Sequence, residues 1–148
     1  MTSRKIQLKT AVDFHGHLGP YLVLGLLMGE YALKKIQAQP HFGLEAKVWG
    51  AKNKPKSCLI DGLQLSTGCT YGKGNITKYD GKVIRASFLN RDTRKKIILS
   101  LKEAVLKRLE SAKDHDSAEK IAGEFYKTPA EKLFSCRSKS GNYTDGHK

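Results

Sequence analysis

The segment that most constrains this chain is residues 20–37, PYLVLGLLMGEYALKKIQ. Leu22, Leu26, Tyr31, Leu33 and Ile36 recur at helical spacing, and Val23, Leu24, Leu27 and Met28 fill the remaining faces of the first half. A helix that is apolar nearly all round must be buried on most sides, in a core or an oligomer interface. Pro20 suits its first turn, where the missing N–H costs nothing. Gly25 and Gly29 are four apart, so they share one face and permit another element to pack closely. Gln39-Pro40 ends the helix.

Around it the pattern predicts a short helix over 6–14 and a strand over 45–52, where Ala46, Val48 and Gly50 alternate with Lys47, Trp49 and Ala51. A basic turn follows at 53–57, then a helix opening near Cys58. Residues 66–75 read as a loop. Strands at 76–79 and 82–88 flank Asp80-Gly81, a two-residue turn of the β-hairpin type. A long helix is expected from Asp92 or Thr93 to Glu110, with Ile98, Leu101, Val105 and Leu109 as its stripe. A further helix is expected behind an Asp116 cap with Glu119 three residues on. Thr128-Pro129-Ala130-Glu131 signals a last short helix carrying Leu133 and Phe134. The expected class is α+β, helices packed on a small, largely antiparallel sheet. It forms one domain over 1–134, with a polar, flexible tail over 135–148.

The net charge of +13 raises the prior for an anionic partner. It is spread over several segments without the fingerprint of a nucleic-acid fold, so a solvated lysine-rich surface is the preferred reading. No apolar run is long enough to cross a membrane. The start lacks a secretory segment, and three cysteines make no disulfide framework, so the expected location is the cytoplasm.

Chemistry concentrates in two places. FHGHLGP at 14–20 offers His15 and His17. DGLQLSTGCTYGKGN at 61–75 offers Asp61, Gln64, Thr70, Lys73, Gly74 and Asn75 among four glycines, with Cys69 inside it and Cys58 three residues upstream. Two imidazoles and two thiols can complete a tetrahedral metal site or leave one position open. The alternative for the cysteines is apolar filler. A glycine-flanked Lys73 can hold an anion, or be a solvated turn residue; the spacing is not that of a Walker loop. Asp61 is a candidate base or ligand, or an N-cap.

These motifs carry a resemblance. FHGHLGPYLVLGLLMGEYAL followed by CLIDGLQLSTGCTYGKGNI and a D-G-K turn is similar to the FmdE family, named for the FmdE component of formylmethanofuran dehydrogenase, over roughly residues 8–134. The resemblance implies an α+β core, a homodimer and a metal pocket with His15, His17, Cys58 and Cys69 at or near it. Asp61, Gln64, Thr70, Lys73 and Asn75 would line that pocket. Two departures stand out. Many members have a cysteine where this chain has Gly19, and the C-terminal treble-clef zinc finger of some members has no counterpart here, which makes this a core-only member.

Three functional readings follow. The first is a metal-binding FmdE-like protein accessory to a molybdenum or tungsten oxidoreductase, with a His/Cys pocket for a small ligand. Zinc is the first choice because imidazole and thiolate suit it, with nickel or iron as alternatives. The second is an enzyme using metal-bound water or the Cys69 thiolate on a small anionic substrate. The third is a basic scaffold for an acidic partner or nucleic acid, ranked last because it gives the two motifs no role.

Overall fold

The structure, a computed structural model, describes residues 7–139. Helix α1 (Leu8–His15) leads into α2 (Pro20–Ile36). These are followed by β1 (Leu44–Trp49), α3 (Cys58–Thr67), β2 (Ile76–Tyr79), β3 (Arg85–Asn90) and β4 (Lys96–Leu101). Helices α4 (Glu103–Glu110), α5 (His115–Tyr126) and α6 (Ala130–Leu133) precede the last strand, β5 (Phe134–Lys139). The sheet order is β2-β1-β3-β4-β5, antiparallel except for the parallel β1–β2 pair. This is an α+β fold.

Helix α2 is the centre, as its composition requires. Leu22, Val23, Leu24, Leu26 and Met28 are fully buried. One face of the sheet, with Val48, Phe88 and Leu99, joins Leu24, Met28 and Leu33 of α2 and Leu59 and Leu63 of α3 in one core. Strand β1 alternates accordingly: Leu44, Ala46 and Val48 are buried, while Glu45, Lys47 and Trp49 are half-buried on the other face.

Helices α2 and α3 meet backbone to backbone. A Cβ on Gly25 would stand 2.0 Å from the Leu59 carbonyl oxygen, and one on Gly62 would stand 2.3 Å from that of Leu22. Ser66 donates to the carbonyls of Gly62 (2.9 Å) and Gly25 (3.3 Å), tying the two helices together.

Several expectations are corrected. Strands β2 and β3 do not form the hairpin expected around Asp80-Gly81, because β1 lies between them. Residues 44–79 are instead a β1–α3–β2 crossover, the connection that parallel strands need. The long helix expected from Asp92 to Glu110 is a strand, β4, followed by the much shorter α4. The run KIILSL carries two adjacent isoleucines, which pack well on a pleated surface. The side-chain oxygen of Asn90 accepts from the N–H groups of Asp92 and Thr93, turning the chain into the true hairpin, β3–β4. The cap of α5 is Asp114 with Ser117, two residues earlier than expected. Residues 135–139 belong to β5, and the remainder of the expected tail, 140–148, lies outside the described residues. Among the described residues no helix is long and apolar enough to cross a membrane.

Candidate functional site

Helix α1 stops at His15 because Gly16 takes the left-handed conformation (φ 110°) and returns its N–H to the Val12 carbonyl at 2.7 Å. This places His15 against the first turns of α3, where Asp61 lies. Nδ1 of His15 is 2.7 Å from Oδ2 of Asp61. A carboxylate only accepts, so Nδ1 carries the hydrogen and donates it to Asp61. The His15 side chain is 10% exposed, and its Nε2 is buried without a hydrogen-bond partner among the described residues.

A cavity of about 250 Å³ opens beside this pair. Cys58, the first residue of α3, lines it with His15 and Asp61. Lys54 and Ser57 enter from the turn before α3, Tyr71 from the loop after it, and Lys78 from β2. The site sits beyond the carboxyl end of β1, where crossover units place their binding clefts. Burial pushes the Cys58 thiol above its ordinary pKa and the Asp61 charge adds to this, against an opposing pull from Lys54. Burial, then Asp61, likewise raises the Tyr71 phenol. A wider cleft of about 470 Å³ between α2 and the α5–α6 junction holds none of the candidate metal, catalytic or ligand-binding residues expected from the sequence.

The four expected metal donors are not brought together. Cys58 and Cys69 flank opposite ends of α3, whose ten residues span roughly 15 Å. Cys69 is fully buried in the core, and its N–H donates to the Thr67 hydroxyl at 3.0 Å. Burial raises its thiol pKa, opposed first by the Thr67 hydroxyl. His17 is exposed, its ring 4.8 Å from that of His15 and 6.0 Å from that of His115. Among the described residues, no group of three or more His, Cys, Asp or Glu side chains stands close enough to hold a metal as arranged.

The polar residues of the glycine-rich loop hold the loop itself. Asn75 is buried; it accepts from the Thr70 N–H and donates to the carbonyls of His41 and Leu44. Gln64 accepts from the Tyr71 N–H at 3.1 Å. The Thr70 hydroxyl accepts from the Lys73 N–H and ammonium, and that ammonium lies over the Phe42 ring. Gly74 supplies a positive φ of 74°. None of these five lines the cavity. Lys54, Ser57, Tyr71 and Lys78 line the cavity without being among the candidates expected from the sequence. Tyr71 was visible inside the singled-out stretch, whereas Lys78 becomes a site residue only through the unforeseen parallel pairing of β2.

The chain is 31% identical over 77 residues to a probable S-adenosyl-L-methionine-binding protein of Archaeoglobus fulgidus; the match takes in 47% of this chain and 19% of that protein. The chain thus spans about a fifth of that relative's length. Its fold matches a tungsten formylmethanofuran dehydrogenase FmdE-like protein from Syntrophus aciditrophicus with a TM-score of 0.69, at 20% identity, covering 99% of this chain and 79% of that one. Residues 14–135 match the family described as FmdE, molybdenum formylmethanofuran dehydrogenase operon. With most of its length matched, including both the His15 and Asp61 segments, this chain belongs to the FmdE family.

Proposed function

We propose that the chain is a metal-binding accessory protein of the FmdE type, whose His15–Cys58 pocket holds one transition metal ion and a small ligand, and which serves a molybdenum or tungsten oxidoreductase. The observation that carries this reading is the buried Nε2 of His15, unpartnered while Nδ1 is held by Asp61. A carboxylate on the far nitrogen fixes the tautomer and raises the basicity of a metal-binding imidazole. The Cys58 thiol shares the cavity and is the second donor. His17 is the nearest further imidazole, its ring 4.8 Å from that of His15, and is the proposed third donor. With Cys69 in the core, the site has fewer protein donors than a closed structural zinc site, which leaves room for a ligand. Zinc suits an imidazole–thiolate pair best, and nickel or iron are next. Such an ion would supply a Lewis acid; the chain's own residues would orient it and restrict access.

The test is metal analysis of protein purified without chelator, wild type beside His15→Ala and Cys58→Ser. Near-stoichiometric metal in the wild type, lost in both variants, supports the reading; equal, trace metal in all three refutes it. The association with an oxidoreductase rests on the family description, and co-purification of molybdenum or tungsten enzyme components with the tagged chain tests it. A second copy of the chain is the other partner proposed, read out by its mass in solution.

A thiol-dependent enzyme is the second reading. The residue favouring it is Cys58 rather than Cys69, since Cys58 alone of the two shares the His15 cavity. Its raised pKa makes it a thiol at neutral pH, so a base is required to activate it. Iodoacetamide modification of Cys58 no faster in wild type than in His15→Ala, with metal removed, would discard this reading.

A further inference from the structure

The cavity's outer rim is basic in a way the metal reading does not use. Lys54 and Lys78 come from different elements, the turn before α3 and strand β2, and converge on one opening of about 250 Å³. Neither is held by a carboxylate among the described residues, whereas nearby Lys52 pairs with Asp80 at 3.1 Å. Ser57 stands at the N-cap of α3, yet its side chain makes no cap hydrogen bond, so its hydroxyl is free to serve a ligand in the cavity. Its own backbone is already helical (φ −65°, ψ −16°), because the turn at 53–57 feeds straight into the helix. The first N–H groups of α3 donate to Pro55, Lys56 and Ser57 carbonyls. Recognition here therefore falls to side chains, assisted by the positive end of the helix dipole. A second feature marks the same cavity: His15, whose side chain is 10% exposed and whose Nε2 has no hydrogen-bond partner among the described residues, is part of its lining.

We propose that the mouth of this cavity binds the oxyanion end of a small metabolite, a carboxylate or a phosphate, between the ammonium groups of Lys54 and Lys78 and the hydroxyl of Ser57, with the rest of the molecule directed at His15 and Cys58. The proposal rests on the reading of this cavity as the ligand pocket and names the chemical class it selects. The volume lies below the roughly 300–1,000 Å³ of clefts for drug-sized ligands, which limits the molecule to a few carbon atoms. Lysines act as point charges rather than as a planar fork, so charge and size are selected before the shape of the oxyanion. The Asp61 carboxylate also lines the cavity, with its Oδ2 held at 2.7 Å by the His15 Nδ1, so the two lysines must outweigh one negative charge.

The experiment is isothermal titration of the chelator-treated full chain at low salt with malonate, inorganic phosphate and uncharged malonamide. One anion is expected to bind and malonamide not; which anion binds separates the carboxylate from the phosphate source. Lys54→Gln with Lys78→Gln is expected to weaken that binding tenfold or more. Ser57→Ala, which leaves the charge unchanged, should weaken it severalfold and supplies the answer if the lysine pair fails to fold. Lys52→Gln with Lys82→Gln removes the same charge outside the cavity and should stay within twofold of wild type. The proposal is overturned if neither anion binds, if malonamide binds as well as malonate, or if the control pair loses as much as the rim pair. Metal content measured on the same proteins keeps the two ideas apart. Metal bound without rim-dependent anion binding defeats only this proposal; rim-dependent anion binding without metal defeats only the metal reading.

Discussion

Replacing Gly62 by alanine tests the link between the helix contact and the site. In an isolated helix the change would help, since alanine is favoured over glycine by about 1 kcal/mol. Here the new methyl would stand 2.3 Å from the Leu22 carbonyl oxygen and 2.5 Å from the Leu26 nitrogen. Every obstructing atom is α2 backbone, so no rotamer can turn away. Carbon contacts settle near 3.5 Å or beyond, so α3 must back off by about 1 Å. Overpacking of this kind costs typically about 1–3 kcal/mol, and the rigid backbone on both sides places Gly62→Ala at the upper end. After subtracting the helix gain, a net loss of roughly 2 kcal/mol remains, which for a chain of this size lowers Tm by about 4–8 °C.

The displaced helix carries Asp61, the residue immediately before Gly62, and a shift of that size breaks the 2.7 Å bond to His15. Metal content and stability should therefore fall together. Gly123→Ala in α5 is the matched control: its Cβ meets nothing within 4 Å, so it should gain rather than lose stability, by about 0.5–1 kcal/mol. Urea unfolding of the three proteins decides. A Gly62→Ala protein as stable as wild type would refute the claim that the helices touch through their backbones.

Four further outcomes are expected. Asp61→Asn removes the ionised partner of His15 and should lower metal affinity about tenfold to a hundredfold, measured by competition with a chromogenic chelator, while circular dichroism stays native. Gly19→Cys places its Cβ 3.3 Å from the His17 Nε2 on an extended backbone that accepts any side chain, so it should tighten metal binding, and only while His17 is present. The two cysteines should separate cleanly. Cys58→Ser loses metal at unchanged stability, and Cys69→Ser keeps metal but loses about 1–3 kcal/mol for a hydroxyl in the core, seen in denaturant titration. The Asp114 cap should fade in acid: the Ser117 N–H donating to its Oδ1, with the Ser117 hydroxyl beside it, holds its carboxyl below the ordinary value of about 3.9, so its stabilisation is present above that value and lost as the pH falls through the folded one. The Tm gap between wild type and Asp114→Ala should accordingly shrink between pH 5 and pH 3.

What could be read from the sequence was whatever a local pattern decides. Helix α2 is legible because the apolar residues of its first half cover nearly every face, and α3 because Cys58, Asp61 and Leu65 keep helical spacing. Strand order is not a local property. The Asp80-Gly81 signal was sound chemistry for a tight turn, but β1, thirty residues upstream, inserts between the strands it was meant to join. The run at 96–101 fits a helical stripe and a strand alike, since Ile97, Leu99 and Leu101 are buried at a spacing of two while Ile98, Leu101 and Val105 also match a helix. Only the Asn90 turn and pairing with β3 and β5 settle it.

The candidate site shows the same division at closer range. Cys58, Asp61, Cys69 and Asn75 were read as one constellation because they are near in sequence, yet a helix converts nearness in sequence into distance along an axis. Asp61 stays with Cys58 because it is within one turn. Cys69 departs because ten helical residues intervene. Tyr71 comes back because the loop folds along α3 and is pinned there by the Gln64 side chain. The two ends of α3 thereby acquire different duties. The far end is closed by Thr67, Thr70 and Asn75 bonding to the loop, and its cysteine is packing. The near end has an N-cap serine that does not cap, a cysteine facing a cavity and a histidine with a spare nitrogen. Buried polar groups left unsatisfied cost stability, so a fold retains them where something else completes them. That imbalance between the two ends of one helix is the strongest reason to look for the ligand beside Cys58 and not in the glycine-rich loop.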